Sequence, residues 1–204
     1  MRPQGIYLDK DIDRIYSFEE YGLDLTKPIV LGSGTAELRK GIDLFVSAAI
    51  GLCEIDDDVQ FVWTGSFGGN IELKSWMEYQ IEKSGFSKRI LLLPFLSNPN
   101  EYKYLLKNIT TFWLTSREDP FPSVVLEAMK FHKPVIGFRN SGGFISMARN
   151  NRAYAIEDFS INSLINETKC ILDKGSFIDW NSVDSFIEGL SLDEYITFFE
   201  RINN

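Results

Sequence analysis

A chain of 204 residues that is 44% hydrophobic and 14% aromatic carries enough apolar surface for one well-buried core and is too short for two large ones. Its formal net charge of -8 opposes the counterion-release binding that draws proteins to nucleic acid, and opposes adsorption to anionic membranes as well. Cys53 and Cys170 stand far apart with no Cys-x-x-Cys or Cys/His cluster, which argues against a metal site or a disulfide framework and fits a reducing, cytosolic compartment.

The amino terminus, Met1-Arg2-Pro3-Gln4-Gly5, lacks the apolar core of a signal peptide, and the longest apolar stretch, Phe45 to Cys53, is too short to span a bilayer. After a lead of residues 1–27, short β-rich runs alternate with longer amphipathic ones. A strand is predicted at Pro28 to Leu31, a helix at Lys40 to Cys53, a strand at Val59 to Thr64 and a helix at Ile71 to Ser84. A strand at Arg89 to Leu93, a helix at Asn100 to Leu106, a strand at Thr111 to Leu114 and a helix at Pro122 to Phe131 follow. Strands at Pro134 to Phe138 and Arg152 to Ile156 and helices at Asn162 to Asp173 and Leu192 to Ile202 complete the set. Near-continuous apolar strands separated by helices predict an α/β fold with a doubly wound, parallel, six-stranded sheet, occupying residues 28–204 as one domain. In such sheets ligands bind beyond the carboxyl ends of the strands, so the loops that follow strands are where chemistry is sought.

The loop after the first strand reads Gly32-Ser33-Gly34-Thr35 and runs through Ala36-Glu37-Leu38 to Arg39-Lys40-Gly41. Glycines let backbone amides approach a phosphate, and two cations beside a helix start would neutralise it. The dinucleotide fingerprint fails, because its third glycine would fall at Glu37, and no Gly-Lys-Ser/Thr of a P-loop follows. A tight strand-to-helix turn with Arg39 and Lys40 in solvent is the competing reading.

The segment Ser116-Arg117-Glu118-Asp119-Pro120-Phe121-Pro122-Ser123-Val124-Val125-Leu126-Glu127 follows the fourth strand. Asp119 before Pro120 has the form of an N-cap with proline at the first helical position. Glu127 borders the stripe of Val124, Ala128 and Phe131, and helical side chains lean toward the helix start, so its carboxylate is directed to the anion-attracting end. An acid there repels phosphate unless it serves a neighbouring hydroxyl pair, as a ribose would offer. The lone His132 follows a helix end, where a left-handed backbone is expected, and is read as structural. Trp63 is read as an apolar strand residue, and Arg89 either approaches a base or simply opens the third strand.

These motifs resemble the acidic-x7-Glu signature of retaining glycosyltransferases with the GT-B fold, particularly family 4, with Asp119 and Glu127 at the required spacing. The resemblance covers residues 28–156: Gly32 to Gly41 resembles the phosphate loop ending in Lys-Gly, Lys133-Pro134-Val135-Ile136 the next buried strand, and Ser141-Gly142-Gly143 the sugar-side glycine turn. It implies catalytic positions at Lys40 and Asp119, and a donor site made of Gly32, Gly34, Thr35, Arg39, Lys40, Glu118, Asp119, Phe121, Pro122, Ser123 and Glu127. Within it Lys40 meets the diphosphate, Asp119 or Glu118 the transferred sugar, and Glu127 the ribose. Two departures stand out: Thr35 replaces a frequent arginine five residues before the lysine, and the usual acid after the glycine pair is replaced near Ser146. Arg39 is a candidate to supply the missing charge.

The resemblance further implies hexosyl transfer from a nucleoside-diphosphate sugar in polysaccharide biosynthesis, with no cofactor and no metal. The Asp-x-Asp pairs agree, since Asp11 and Asp13 lie in the lead and Asp56 and Asp58 precede the second strand. The acceptor, a glycan or lipid-linked sugar, would come on a separate amino-terminal domain, with residues 1–27 resembling the interdomain connection and the whole enzyme cytoplasmic or peripheral to the membrane. Two other classes remain open at this stage: a GT-B-like epimerase or phosphorylase, and a non-enzymatic nucleotide-binding module.

Overall fold

The computed structural model describes Ile12 and residues 14–190. Six strands, β1 (Ile29–Ser33), β2 (Gln60–Thr64), β3 (Ile90–Leu93), β4 (Thr111–Leu114), β5 (Val135–Phe138) and β6 (Tyr154–Ile156), form one sheet in the order β3-β2-β1-β4-β5-β6. Every pairing is parallel. The chain winds outward from β1 to the β3 edge, returns to lay β4 beside β1, and winds outward again in the opposite direction. This is the doubly wound arrangement expected, and its point of reversal lies between β1 and β4.

The described helices are α1 (Ile42–Cys53), α2 (Ile71–Ser84), α3 (Pro99–Asn108), α4 (Ser123–Lys130), α5 (Phe144–Ala148), α6 (Ile161–Lys174) and α7 (Trp180–Glu188). Side chains alternate across the sheet with the period of two that a pleated strand imposes. Val30, Phe61, Trp63, Trp113 and Ile136 pack under α1, α2 and α6, whereas Ile29, Leu31, Val62, Phe112 and Leu114 pack under α3, α4, α5 and α7. With both faces covered, the strands contain almost no exposed position, which is why they read as unbroken apolar runs. One polar tie sits inside this core: the Trp113 indole donates to Thr168 Oγ1 at 2.8 Å, and that hydroxyl donates to the Leu164 carbonyl at 2.7 Å.

Helix limits follow local chemistry. Helix α2 has the predicted bounds, with the Asn70 side chain accepting from the Leu73 amide at 3.0 Å and Gly85 taking φ 79° at its end. Helix α1 begins after, not at, Lys40: Leu38–Lys40 is a 3-10 turn, and Gly41 at φ 73° separates it from the helix proper. Helix α4 starts at Ser123 and is followed by His132 at φ 52°, the left-handed residue expected there. Helices α5 and α7 were not among the predicted elements. The helix predicted at Leu192 to Ile202 lies outside the described residues. The described part of the lead is packed rather than free, since Tyr16, Phe18 and Leu23 are buried in the α3-side core and the Asp24 amide donates to Gln60 Oε1 at 2.9 Å. No described helix is long and apolar enough to cross a membrane.

Candidate functional site

Where the two windings part, the loops at the carboxyl ends of β1, β2 and β3, the first turn of α3 and the first two turns of α4 enclose a cavity of about 460 Å³. That is within the usual size for a small-molecule site. Ser33, Gly34 and Thr35 form one wall, Tyr102 another, and Val124 and Glu127 a third. The backbone is tight here. A side chain at Gly65 would put its Cβ 2.0 Å from the Gly34 carbonyl oxygen, an atom that also accepts from the Trp63 indole at 3.2 Å. Phe95, from the loop after β3, stands 70% exposed on the cavity's rim.

Two titratable side chains line this cavity, Glu127 and Tyr102. Glu127 is largely buried, and burial raises its pKa from the ordinary carboxylate range, while the neighbouring Tyr102 hydroxyl works in the opposite direction. Burial likewise pushes the Tyr102 phenol upward, with the Glu127 charge as the next contribution.

A second neighbourhood is knitted closed. Lys40 Nζ meets Asp119 Oδ2 at 2.6 Å, with the aspartate side chain only 7% exposed. The Arg117 guanidinium grips both carboxylate oxygens of Asp43, at 2.8 and 2.6 Å, and also donates to the Leu38 carbonyl. The Arg117 amide donates to the Arg39 carbonyl at 2.8 Å. Gly41 is obligatory at this crossing: besides its positive φ, a Cβ there would stand 1.9 Å from the Thr115 carbonyl oxygen. On the far side the Asp119 amide donates to the Ser141 carbonyl at 2.6 Å and the Gly143 amide to the Asp119 carbonyl at 3.0 Å. The loops after β1, β4 and β5 therefore form one unit.

Sequence-predicted site residues divide between these neighbourhoods. Gly34, Thr35 and Glu127 line the cavity. Lys40 and Asp119 face each other, so Asp119 does not cap α4; Pro122 occupies the position before that helix. Arg39 is turned to Glu37 Oε1 at 2.7 Å and to the Glu118 carbonyl at 3.0 Å, half-exposed in both its contacts. Phe121, Pro122 and Ser123 make the turn into α4, with Phe121 against the core. Gly32 lies within β1, where an added Cβ would strike Trp63 and Phe45 at 2.7 and 2.9 Å, so its smallness serves packing. The glycine pair 142–143 similarly makes room for the backbone of Asp119 and Pro120.

Ser33, Tyr102 and Phe95 were not singled out from sequence. Phe95 follows a strand and could have been found by the rule that such loops line the crevice. Tyr102 lies inside a helical pattern and carries no such signal. Arg89 turns away from any ligand, donating to the carbonyls of Val59, Cys53 and Asp56 and so fastening the loop before β2. Trp63 is a buried strand residue. His132 stacks on Trp180 at 5.0 Å between centroids and bonds to Asp184 at 2.9 Å, joining α4 to α7. Burial pushes the Cys53 thiol up to about 11, as befits a core residue.

A doubly wound parallel sheet with a crevice of this kind at its reversal defines a Rossmann-like α/β class at the level of fold, in which ligands bind beyond the carboxyl ends of the strands. The chain belongs to the glycosyl transferases group 1, whose family model matches residues 13–188. Among curated relatives, it is 31% identical over 119 residues to the alpha-galactosylglucosyldiacylglycerol synthase of Streptococcus pneumoniae strain ATCC BAA-255 / R6, covering 57% of this chain and 30% of that protein. Among solved structures it superposes on Anabaena HepE in complex with UDP and glucose with a TM-score of 0.74 at 19% identity, over 88% of this chain and 49% of the other. It also superposes on the C-terminal domain of LpcC, a glycosyl transferase group 1 family protein of Francisella tularensis, with a TM-score of 0.71 at 18% identity, over 88% of this chain and 97% of the other. The chain thus spans half or less of the first two of these proteins.

Proposed function

We propose that this chain is the donor-binding unit of a nucleotide-sugar-dependent glycosyltransferase, of the retaining type found in family 4. The observation that supports the reading best is the pairing of an apolar cavity at the sheet's reversal, holding Glu127, with a cation–carboxylate pair, Lys40 and Asp119, on the loops that leave β1 and β4 at the same edge. In this reading the nucleoside occupies the cavity and Glu127 accepts from the ribose hydroxyls. Lys40 has three N–H donors and spends one on Asp119, so two remain for diphosphate oxygens. Asp119, with Glu118 beside it, takes hydroxyls of a transferred hexose. Departure of the diphosphate leaves positive charge on the sugar, and Lys40 together with the amides at the start of α4 stabilises the leaving anion electrostatically. Arg39, held by Glu37 and the Glu118 carbonyl, is a weaker candidate for that role.

Transfer also needs an acceptor hydroxyl held at the anomeric carbon, and an effective molarity of about 10⁵ to 10⁸ M is forfeited when nothing holds it. The acceptor, a glycan or lipid-linked sugar, is assigned to a facing domain, consistent with the fraction of its relatives that the chain spans.

The test is titration of the chain with UDP, GDP and ADP and with the matching nucleosides. Binding of at least one nucleoside diphosphate is expected. Lys40→Ala should weaken the diphosphate by about tenfold or more and the nucleoside hardly at all, since a charge-assisted hydrogen bond is worth about 1.5 to 3 kcal/mol. Equal losses for the two would remove Lys40 from the phosphate site, and no binding of any nucleotide would defeat the reading.

A further inference from the structure

Tyr102 is the residue in the cavity that neither the fold nor the acidic motif accounts for. It sits in the first turn of α3, which starts with Pro99 behind the cap residue Asn98. That turn is held firmly: the Asn98 side chain accepts from the Asn100 amide at 3.0 Å and donates to the Tyr16 hydroxyl at 3.1 Å, tying α3 to the lead. The Tyr102 amide bonds to the Asn98 carbonyl at 3.3 Å. The ring therefore has a fixed position on the cavity wall. Yet its hydroxyl oxygen is fully buried and has no hydrogen-bond partner among the described residues. Ser33 and Glu127 are the polar side chains near enough to act on it, from the end of β1 and from α4.

A buried hydroxyl left without a partner is a cost to the empty protein, and native structures rarely keep one without a use. Here the use is restricted by its neighbours. An ionised Glu127 only accepts, whereas a phenol both donates and accepts. A phosphate beside Glu127 would be repelled, and an apolar group would leave both side chains unsatisfied. A vicinal diol meets both demands, since one hydroxyl can donate to the carboxylate while the other accepts from the phenol.

We infer that Tyr102 is a sugar-specificity residue of the nucleotide site, its hydroxyl donating to one ribose hydroxyl while Glu127 accepts from the other. The inference rests on the nucleotide-sugar reading above. It has the ribose of the donor read by a phenol on α3 and a carboxylate on α4 arriving from separate crossovers of the sheet.

The experiment compares wild type and Tyr102→Phe, which keeps the ring and removes the hydroxyl alone. Affinities are measured for whichever of UDP, GDP and ADP binds wild type, and for its 2′-deoxy and 3′-deoxy analogues, together with the thermal midpoint of each protein without ligand. Expected are a loss of about three- to tenfold for the ribonucleotide in the variant, the size of one neutral hydrogen bond, and no further loss for the one deoxy analogue that already lacks the accepting hydroxyl. The midpoint of the empty variant should be unchanged or higher, because an unsatisfied hydroxyl has gone. If the variant binds the ribonucleotide as wild type does, loses the same factor for all three ligands, or melts lower, the inference is overturned while the nucleotide reading stands. If wild type binds none of the three diphosphates, that reading falls and the inference falls with it.

Discussion

The two neighbourhoods at the carboxyl edge of the sheet have the same polar currency and use it differently. Around Asp119 three ion pairs join charged groups within the chain: Lys40 lies against Asp119, Arg117 against Asp43, and Arg39 against Glu37. Around Glu127 the carboxylate is buried with its pKa raised and the Tyr102 hydroxyl is unpartnered among the described residues. The first arrangement makes three loops behave as one rigid body. The second stores unfavourable burial that a ligand can relieve. The cross-linked framework and the buried pair in the cavity are thus separated in space.

Breaking the rigid neighbourhood should have the largest effect. Gly41→Ala imposes a side chain at φ 73° and drives its Cβ to 1.9 Å from the Thr115 carbonyl oxygen. The left-handed backbone alone costs about 1 to 2 kcal/mol, and the clash adds to it. A denaturant titration should show a loss of more than about 3 kcal/mol, whereas a loss below about 1 kcal/mol would mean that the loops are not held as described.

The ion pair offers an intermediate test. Lys40→Ala leaves Asp119, 7% exposed, without its cation, while the double variant Lys40→Ala, Asp119→Ala leaves no orphan charge. A double-mutant cycle on unfolding free energy should give a coupling of about 1 to 3 kcal/mol. Strict additivity of the two single changes would show that the contact contributes nothing to the fold.

The open neighbourhood predicts a small effect of opposite sign. Burial raises the folded-state pKa of Glu127, so the folded chain holds that proton more tightly than the unfolded chain does. Its contribution is therefore most favourable below the ordinary carboxylate range and is lost as pH rises through the raised folded value. Glu127→Gln should accordingly raise the thermal stability of the empty chain near neutral pH, by an amount on the order of 1 kcal/mol, and the gain should shrink as the solution is acidified. Melting curves from neutral to acidic pH decide it; a variant that is less stable at neutral pH would show that the carboxylate is well solvated or well paired.

The alternation of the sheet was legible because burial on both faces leaves each strand a plain apolar run. All six strands were legible for that reason, as was α2, which has a capping asparagine and a terminal glycine. Helix α5 is five residues long and gives no periodicity to read, whereas α7 did carry a signal in Asp179, whose side chain accepts from the Ser182 amide, and in the buried pair Val183 and Ile187. Glu127 was legible because helical geometry aims a side chain toward the helix start, a purely local effect. Tyr102 was not, because its meaning comes from the crossover that carries α3 from the β3 edge back to the sheet's centre, and no spacing along the chain encodes that meeting. The role of Gly32 was misleading for a related reason: a glycine that admits Trp63 and Phe45 looks, in one dimension, like one that admits a phosphate.

The pairing of β1 with β4 also dictates an order of events. Val30 and Leu31 register against Thr111 and Phe112, and the Ile29 amide donates to Thr110 Oγ1 across 81 residues of chain. As the polypeptide emerges from its amino terminus, β1, β2 and β3 can associate early under α1 and α2. Through that interval β1 is an unpaired edge, and Ile29, Leu31 and Val62 lack the helices α4, α5 and α7 that complete the cover of their face. Only when β4 arrives does the edge close, and α4 brings Glu127 to the cavity immediately afterward. The cavity is the seam of the sheet, so on a ribosome-bound chain it has no complete wall until the open edge of β1 has already been covered.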